Sequence, residues 1–217
     1  MKSKLFLLLF LAIIIIPNFL FSQFIQQGSK LAGTGIIGSP EQGFSVAISS
    51  DGNTAIIGGP FDNGNKGAAW IFTRSSGVWS QQGSKLVGTG SVGNGYFGTS
   101  VAISSDGNTA LVGCPYDSGT KGAAFAFTRS SGVWTQQGAK LLCTDFVGAP
   151  YQGSSVSISS DGNTALVGGY YDNAGKRSSL GIYTKRWGLD TARFKACWHR
   201  CRWKCRARFQ GCSIFRW

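Results

Sequence analysis

The stretch SVAISSDGNTAIIGGP, residues 45–60, occurs three times in this chain of 217 residues. It returns as SVAISSDGNTALVGCP and again as SVSISSDGNTALVGGY, so that Asp51, Asp106 and Asp161 are spaced 55 residues apart. A fixed period of this length is typical of repeat architectures, in which each repeat is one structural unit. We refer to the three copies and their flanking residues as repeats 1, 2 and 3.

Each repeat predicts four short strands. In repeat 1, residues 45–49 alternate larger apolar and small residues, which favours a strand with one buried face. The Asp-Gly pair that follows predicts a tight hairpin whose two central residues have positive φ, and residues 54–58 form the return strand. Residues 68–73 and 78–86 supply two further strands rich in β-favouring residues. Repeated four-stranded sheets are typical of β-propeller blades, so we predict an all-β fold with three blades of a truncated propeller.

The residues FGTSV at 97–101, followed by GCP at 113–115, resemble the FG-GAP repeat of integrin α-subunit propellers and of many bacterial surface proteins. The resemblance covers all three repeats, from Gln23 to about Lys176. It implies a β-propeller fold and a secreted module for binding or cell adhesion. Repeats 1 and 3 depart from the motif, because Gly43-Phe44 and Gly153-Ser154 stand where repeat 2 has Phe-Gly.

The resemblance also raises the question of calcium. FG-GAP blades that bind calcium place an Asp-rich loop between their first two strands. This chain has only the short SSDGNT turn there, which offers one carboxylate where Ca²⁺ prefers six to eight oxygen ligands. We therefore expect no cofactor, and we interpret Asp51, Asp106 and Asp161 as hairpin-turn residues.

A second set of recurring aspartates provides the candidate metal ligands, Asp62, Asp117 and Asp172. They follow the GGP-type motif in loops rich in glycine and polar residues, and in a propeller these loops would line one rim. The alternative is an Asx-type turn, in which each carboxylate supports its own loop.

The first 22 residues predict export. They begin with two lysines and then run apolar over residues 5–16, which is typical of a secretory signal peptide, whereas a membrane-spanning helix needs about 20 apolar residues. We predict cleavage near Ser22 or Gln23, a secreted or cell-surface product, and no membrane span after cleavage. The alternative is an uncleaved signal anchor, because residues 19–21 lengthen the apolar run.

Charge is distributed unevenly along the chain. Residues 23–176 carry eight Lys or Arg and eight Asp or Glu, whereas residues 177–217 carry 11 of the 21 basic residues and one acid. The net charge of +12 therefore reflects mainly the C-terminal segment. A basic segment rich in aromatic residues is also typical of nucleic-acid binding, but we expect no nucleic-acid partner for the reason given next.

We interpret residues 177–217 as a fourth repeat that is read one nucleotide out of frame. Tryptophan has a single codon, TGG, so the shifted frame turns Trp187, Trp198 and Trp203 into glycine, which the 55-residue register places there. In that frame residues 190–196 can read TQQGSKL, which matches the end of the preceding repeat in type. The segment as translated is then expected to be disordered.

A genuine C-terminal segment would carry other chemistry. Cys197, His199, Cys201 and Cys205 could act as metal ligands, although structural zinc sites favour the tighter C-x₂-C spacing. The four cysteines of the segment could also form two disulfides in a secreted chain. The frame-shift interpretation removes both of these sites.

Catalytic residues are not predicted. Residues 23–176 contain no histidine and a single glutamate, Glu41, and their aspartates recur at equivalent positions, whereas a catalytic site brings unlike groups to one reacting atom. We interpret Trp70, Trp79 and Trp134 as packing residues. We predict a non-catalytic propeller module that binds an extracellular protein or glycan. The alternatives are an accessory propeller of a larger exported enzyme, whose catalytic part is missing from this chain, and a structural repeat of the cell envelope.

Overall fold

The computed structural model describes residues 24–143 and 146–172, together with the backbone of residues 177–184. Chain contacts divide the protein into two compact parts, residues 1–30 and 31–217. In the first part, the described residues 24–30 form no strand, and Gln26 Nε2 donates a hydrogen bond to Gly28 O at 2.9 Å. The predicted signal peptide and the frame-shifted segment after residue 184 lie outside the described residues.

Repeats 1 and 2 each form one four-stranded antiparallel sheet in which strands follow one another in chain order. The strands of repeat 1 are β1 (Ser45–Ile48), β2 (Thr54–Gly59), β3 (Ala68–Ser75) and β4 (Val78–Gln81). The strands of repeat 2 are β5 (Ser100–Ile103), β6 (Thr109–Cys114), β7 (Ala123–Ser130) and β8 (Val133–Gln136). These two sheets confirm the predicted all-β, propeller-type fold.

Repeat 3 begins in the same way. Its described strands, β9 (Ser155–Ile158), β10 (Thr164–Asp172) and β11 (Arg177–Thr184), form a three-stranded antiparallel sheet with β10 in the centre. The predicted fourth strand of this repeat falls outside the described residues.

The fourth strand of each complete repeat is shorter than predicted. β4 ends at Gln81, although the sequence favoured a strand that continues to Leu86. Leu86 instead forms an isolated bridge to Ala69, with N–O distances of 3.0 and 2.7 Å. Gly83 causes the interruption, because its positive φ of 72° bends the chain away from the ladder.

One short helical turn, α1 (Asp62–Asn65), lies between β2 and β3. It is not a regular helix, because Asn63 and Gly64 have left-handed backbone conformations with φ of 52° and 62°. Among the described residues, no helix has the length and apolar character that crossing a membrane requires.

The largest core lies between the sheets of repeats 1 and 2. Ile56 and Ile71 of the first sheet pack in one cluster with Val112, Phe125 and Phe127 of the second sheet. Each large apolar side chain that is fully buried in this way contributes about 1.5–3 kcal/mol to stability. A smaller cluster of Leu111, Ala124 and Val167 continues the stacking from repeat 2 to repeat 3.

Strand register places the loops at two opposite ends of the sheets. Ser45, at the start of β1, pairs with Gly58 near the end of β2, and Gly59 pairs with Ala68 at the start of β3. The β2–β3 loop and the segment before β1 therefore share one end, which we call the loop rim. The turns between first and second strands lie at the other end, which we call the turn rim. There Ser50 N–H donates to Ser105 O (3.1 Å).

The turn at Asp51-Gly52 differs from the predicted hairpin. Gly52 has a positive φ of 66°, but Asp51 does not, so the pair is not the centre of a two-residue hairpin. Instead, Gly52 N–H donates to Ser49 O (2.9 Å), and the longer loop closes through Ser49 N–H to Thr54 O (2.9 Å). The aspartate keeps a negative φ because its carboxylate accepts hydrogen bonds from both sides of the turn.

Candidate functional site

The candidate metal ligands Asp62, Asp117 and Asp172 are buried at the loop rim, each with at most 1 % of its surface exposed. Asp62 Oδ1 accepts a hydrogen bond from Ile37 N–H (2.8 Å), and its Oδ2 lies 2.5 Å from Lys85 Nζ. Asp117 repeats this arrangement with Val92 N–H (2.7 Å) and Lys140 Nζ (2.5 Å). Asp172 accepts from Val147 N–H (2.7 Å).

These contacts join distant loops. Each carboxylate binds a backbone N–H 25 residues earlier in the chain, so the geometry is not the Asx-type turn that the sequence suggested as an alternative. In Asp62 and Asp117 both carboxylate oxygens have protein partners, one of which is an ammonium group. Within the described residues, no three or more His, Cys, Asp or Glu side chains are grouped as a metal site would need. Metal binding at these aspartates stays a prediction.

The aspartates of the turn rim stabilise their own turns. Asp51 Oδ1 accepts from Ser49 Oγ (2.5 Å) and from Asn53 N–H (2.9 Å). These hydrogen bonds, with that of Ser49 the strongest, lower the pKa of Asp51, and equivalent bonds from Ser159 lower that of Asp161. For Asp106, burial raises the pKa, but the hydrogen bonds and a nearby arginine outweigh it, so the pKa is lowered.

The three tryptophans serve packing, as predicted. Trp70 is fully buried, and its Nε1–H donates to Thr34 O (2.8 Å). The guanidinium of Arg129 lies 5.5 Å from the ring centroid of Trp134, and Arg74 has the same relation to Trp79. These rings have one face against a cation and are not free platforms for a ligand.

An array of aromatic rings crosses the loop rim and connects the three repeats. The rings contact one another in sequence, with centroids 4.9–6.2 Å apart, which is the usual spacing of aromatic pairs. We call this set the aromatic array: it consists of Phe44, Phe61, Tyr96, Tyr116, Tyr151, Tyr170 and Tyr171.

The aromatic array is partly open to solvent. Phe44, Tyr116, Tyr170 and Tyr171 are exposed, and the most exposed of them, Tyr170, has 58 % of its surface accessible. Tyr170 and Tyr151 are stacked with only 8° between their ring planes, whereas most other pairs meet edge to face. Partial desolvation beside the neighbouring rings raises the pKa of Tyr170. The hydroxyl groups therefore stay protonated and can donate hydrogen bonds at neutral pH.

The backbone holds the central rings of the aromatic array in an unusual conformation. Tyr96 and Tyr151 have positive φ values of 56° and 51°, which cost about 1–3 kcal/mol for a residue with a side chain. Each is anchored by the preceding repeat, because Tyr96 N–H donates to Asn65 O and Tyr151 N–H to Thr120 O, both at 3.0 Å. The two rings are therefore fixed by the repeat scaffold before any ligand arrives.

The sequence analysis missed this surface, although a signal for it was present. Phe61, Tyr116 and Tyr171 each immediately precede one of the recurring aspartates, and Tyr96 and Tyr151 are also 55 residues apart. An alignment of the three repeats would have shown two aromatic positions on the loop rim. Their contact could not be read from the sequence, because it joins residues of neighbouring repeats.

The two cysteines of the repeat region occupy the core. Burial raises the pKa of the Cys114 thiol to about 12, and Cys114 Sγ donates to Gly95 O (3.2 Å). Cys143 is also buried. Both positions agree with the prediction of small buried residues.

The FG-GAP repeat family matches this chain over residues 79–127, which begin in β4 and end in β7. The chain is an FG-GAP repeat protein. No curated protein sequence matches it.

Solved structures overlap with this FG-GAP protein only over part of their length. A candidate 6-phosphogluconolactonase of Bacteroides uniformis is 13% identical with a TM-score of 0.47, and the overlap covers 68% of this chain and 38% of that one. TolB of Acinetobacter baumannii is 13% identical with a TM-score of 0.37, covering 67% and 30%. The Kuenenia stuttgartiensis hydrazine synthase is 14% identical with a TM-score of 0.40, covering 75% and 36%. The chain thus spans less than two fifths of each.

The structure explains why only repeat 2 carries the Phe-Gly pair of the FG-GAP motif. Phe97 is buried against Phe125, with ring centroids 5.4 Å apart. Gln152 takes its place in repeat 3, where the side-chain amide accepts from Cys143 N–H (2.7 Å) and donates to Cys143 O (3.0 Å). Gln42 binds Gly33 in the same way in repeat 1. A glutamine at this position therefore replaces aromatic packing with two hydrogen bonds.

Proposed function

We propose that this FG-GAP protein is an exported, non-catalytic module that binds an extracellular glycan or protein through the aromatic array. The observation that supports the proposal is the contact of seven rings across all three repeats at one rim. A contiguous exposed apolar patch on a soluble domain marks an interaction site.

The chemistry of the aromatic array favours a glycan as the first ligand to test. Five of its seven residues are tyrosines, which combine a flat apolar face with a hydroxyl group. Sugar rings combine C–H faces with hydroxyl groups, so each tyrosine can stack on a ring and exchange hydrogen bonds with it. The repeat region is neutral, which suits an uncharged ligand better than a nucleic acid.

The rigid backbone supports the same conclusion. Tyr96 and Tyr151 are held at positive φ by hydrogen bonds from the preceding repeat, so their rings need little ordering when a ligand binds. Preorganised side chains bind more tightly because less conformational entropy is lost. The N-terminal segment with signal-peptide character is the basis for placing this binding outside the cell or at its surface.

Screening the full chain on an array of neutral and charged glycans would test the proposal. We expect retention on neutral polysaccharides and a loss of affinity of about tenfold or more for Tyr116→Ala and for Tyr171→Ala, because truncating an aromatic anchor costs more than about 1 kcal/mol. Tyr116→Phe should keep stacking and lose only the contribution of the hydroxyl group.

Val78→Ala is the matched control, since Val78 is exposed on β4 and lies outside the aromatic array. It should bind as the unsubstituted chain does. Binding that survives Tyr116→Ala, Tyr171→Ala and the double variant would exclude the aromatic array as the site. Retention of an extracellular protein but of no glycan would leave the array as the site and change the ligand class.

A further inference from the structure

Neighbouring repeats stack through two different faces of the sheet. In the first contact, Val101 and Ile103 of β5 lie in one cluster with Ala47 and Ile56 of repeat 1. Repeat 3 stacks on repeat 2 in the same manner, with Val156 of β9 packed in one cluster with Leu111. We call the face that carries the first-strand valine the leading face of a repeat, and the opposite face its trailing face.

The leading face of repeat 1 has no partner within the described residues. Val46 and Ile48, the equivalents of Val101 and Ile103, are 67 % and 58 % exposed. The same difference is seen at a glycine before the first strand. A Cβ on Gly98 would meet Ala68 O at 2.4 Å, whereas a Cβ on Gly43 would meet no atom within 4 Å. The leading face of repeat 1 therefore has the residues of an inter-repeat contact without the contact.

The trailing face of repeat 3 is open in the complementary way. Leu166 is 37 % exposed, although its equivalents Ile56 and Leu111 are fully buried against the next repeat. Ser45 Oγ donates to Gly98 O of the next repeat (2.7 Å), and Ser100 Oγ donates to Gly153 O (2.8 Å). Ser155 is the third serine of this series.

We propose that the trailing face of repeat 3 docks on the leading face of repeat 1 in a second copy of this chain, and that two copies close a ring of six repeats. The occupant follows from the repeat itself, because the two open faces are equivalents of faces that already pack together twice within one chain. Three blades are too few to close a propeller, whereas six lie within the usual range of about four to eight.

The hydrogen-bond ladder of the turn rim specifies the alignment of the two copies. Ser50 N–H donates to Ser105 O (3.1 Å), and Ser105 N–H donates to Ser160 O (3.0 Å). The next step of this ladder brings Ser160 N–H to Ser50 O of the second copy. Ser155 Oγ likewise reaches Gly43 O of the second copy. Such head-to-tail contacts form a closed ring only if the rotation per copy closes, and otherwise form filaments.

Cysteine cross-linking tests the contact directly. The hydroxyl oxygens of Ser50 and Ser105 are 3.0 Å apart, so Ser50→Cys with Ser105→Cys in one chain should form an internal disulfide and serves as the geometric control. For the test, a chain with only Ser50→Cys is mixed with a chain with only Ser160→Cys and then oxidised. We expect a covalent dimer whose linked peptides contain residues 50 and 160.

Light scattering on the full chain then measures the assembly. We expect a particle of twice the mass of one chain, and a dimer dissociation constant raised at least about tenfold by Val46→Lys, because a charge at the centre of the contact must be desolvated. Val133→Lys is the matched control, since Val133 is exposed on β8 to a similar extent and lies outside both open faces.

Thermal melting of both lysine variants shows that they remain folded. A single species with the mass of one chain, or a dimer that Val46→Lys does not weaken, would overturn the proposal. Open-ended polymers would overturn the closed ring. Failure of the mixed chains to cross-link while the internal control disulfide forms would exclude the head-to-tail alignment.

Discussion

The ammonium group of Lys140 lies 2.5 Å from the carboxylate of Asp117, which has no exposed surface. The same carboxylate accepts the backbone N–H of Val92 and the hydroxyl group of Ser118. This ion pair joins the loop after β6 to the segment after β8 and is repeated by Asp62 and Lys85 in repeat 1. It holds the loops that flank the aromatic array.

We expect Asp117→Ala to lower the free energy of unfolding by about 2–4 kcal/mol. Removing one partner of a buried ion pair costs about 3–5 kcal/mol, and the partial exposure of Lys140 reduces this, because the ammonium group can turn toward water. The unpaired N–H of Val92 adds to the cost. Urea unfolding followed by tryptophan fluorescence measures the change. A loss below about 1 kcal/mol would show that the ion pair is not important for stability.

Gly98 provides a test of close packing between repeats. It has a positive φ of 92°, and a Cβ there would meet Ala68 O at 2.4 Å. We expect Gly98→Ala to cost about 2–5 kcal/mol, because left-handed strain of about 1–2 kcal/mol adds to an overpacking cost of about 1–3 kcal/mol. Gly93→Ala is the control, since its φ is 77° and its Cβ would meet open space. Equal denaturation midpoints for the two variants would contradict the close contact.

Acid should weaken the turn at Asp106. Its pKa is lowered in the folded state from the ordinary value of 3.8, so its contribution to stability is present above that value and is lost as the pH falls through the lower folded pKa. We expect Asp106→Asn to cost about 0.5–1.5 kcal/mol at pH 7, because the side chain accepts from Ser104 Oγ and Asn108 N–H.

The comparison with the unsubstituted chain isolates this residue from the other carboxylates. Melting temperatures of both chains are recorded from neutral pH to below the ordinary pKa of aspartate. The difference between them should shrink as the pH falls, because protonation removes the charge from Asp106 in one chain and leaves Asn in the other unaffected. A difference that is constant with pH would show that the charge of Asp106 contributes nothing.

Cys114 should be unreactive in the folded protein. Burial is the main cause that raises its pKa to about 12, so almost no thiolate forms at pH 8, and the sulfur atom is inaccessible. Iodoacetamide labelling at pH 8, read by mass spectrometry of the peptide that contains residue 114, measures this. The same peptide should be labelled rapidly in guanidinium chloride. Equal labelling rates in the two conditions would contradict the burial of the thiol.

Much of the fold could be predicted from the sequence, because its signals are local and occur three times. The first strand, the turn and the second strand of each repeat follow from residues such as Val46, Gly52 and Ile56, whose alternation and turn chemistry depend on near neighbours. The recurrence at 55 residues also identified the repeat architecture. The type of turn was predicted wrongly, because the carboxylate of Asp51 stabilises a longer loop than the Asp-Gly pair suggests.

The candidate site depended on the tertiary structure. Asp62 and Asp117 were identified as recurring residues, but their partners are 23 to 25 residues away, on segments whose approach no local pattern specifies. The aromatic array was missed for the same reason, since Tyr116 meets Tyr96 and Tyr151 only when three sheets are stacked.

The amino-acid sequence by itself determined the strands, the period and the residues that each repeat buries, because backbone preference and hydrophobic alternation act within a few positions. Only the tertiary structure decided which recurring residues become a surface, which are locked in ion pairs, and which faces are left open. Val46 and Val101 illustrate the difference: they stand in identical SVAI segments, yet one is exposed and the other packs against the preceding repeat. Burial depends on the neighbour, and only one of the two has one within the described part of the chain.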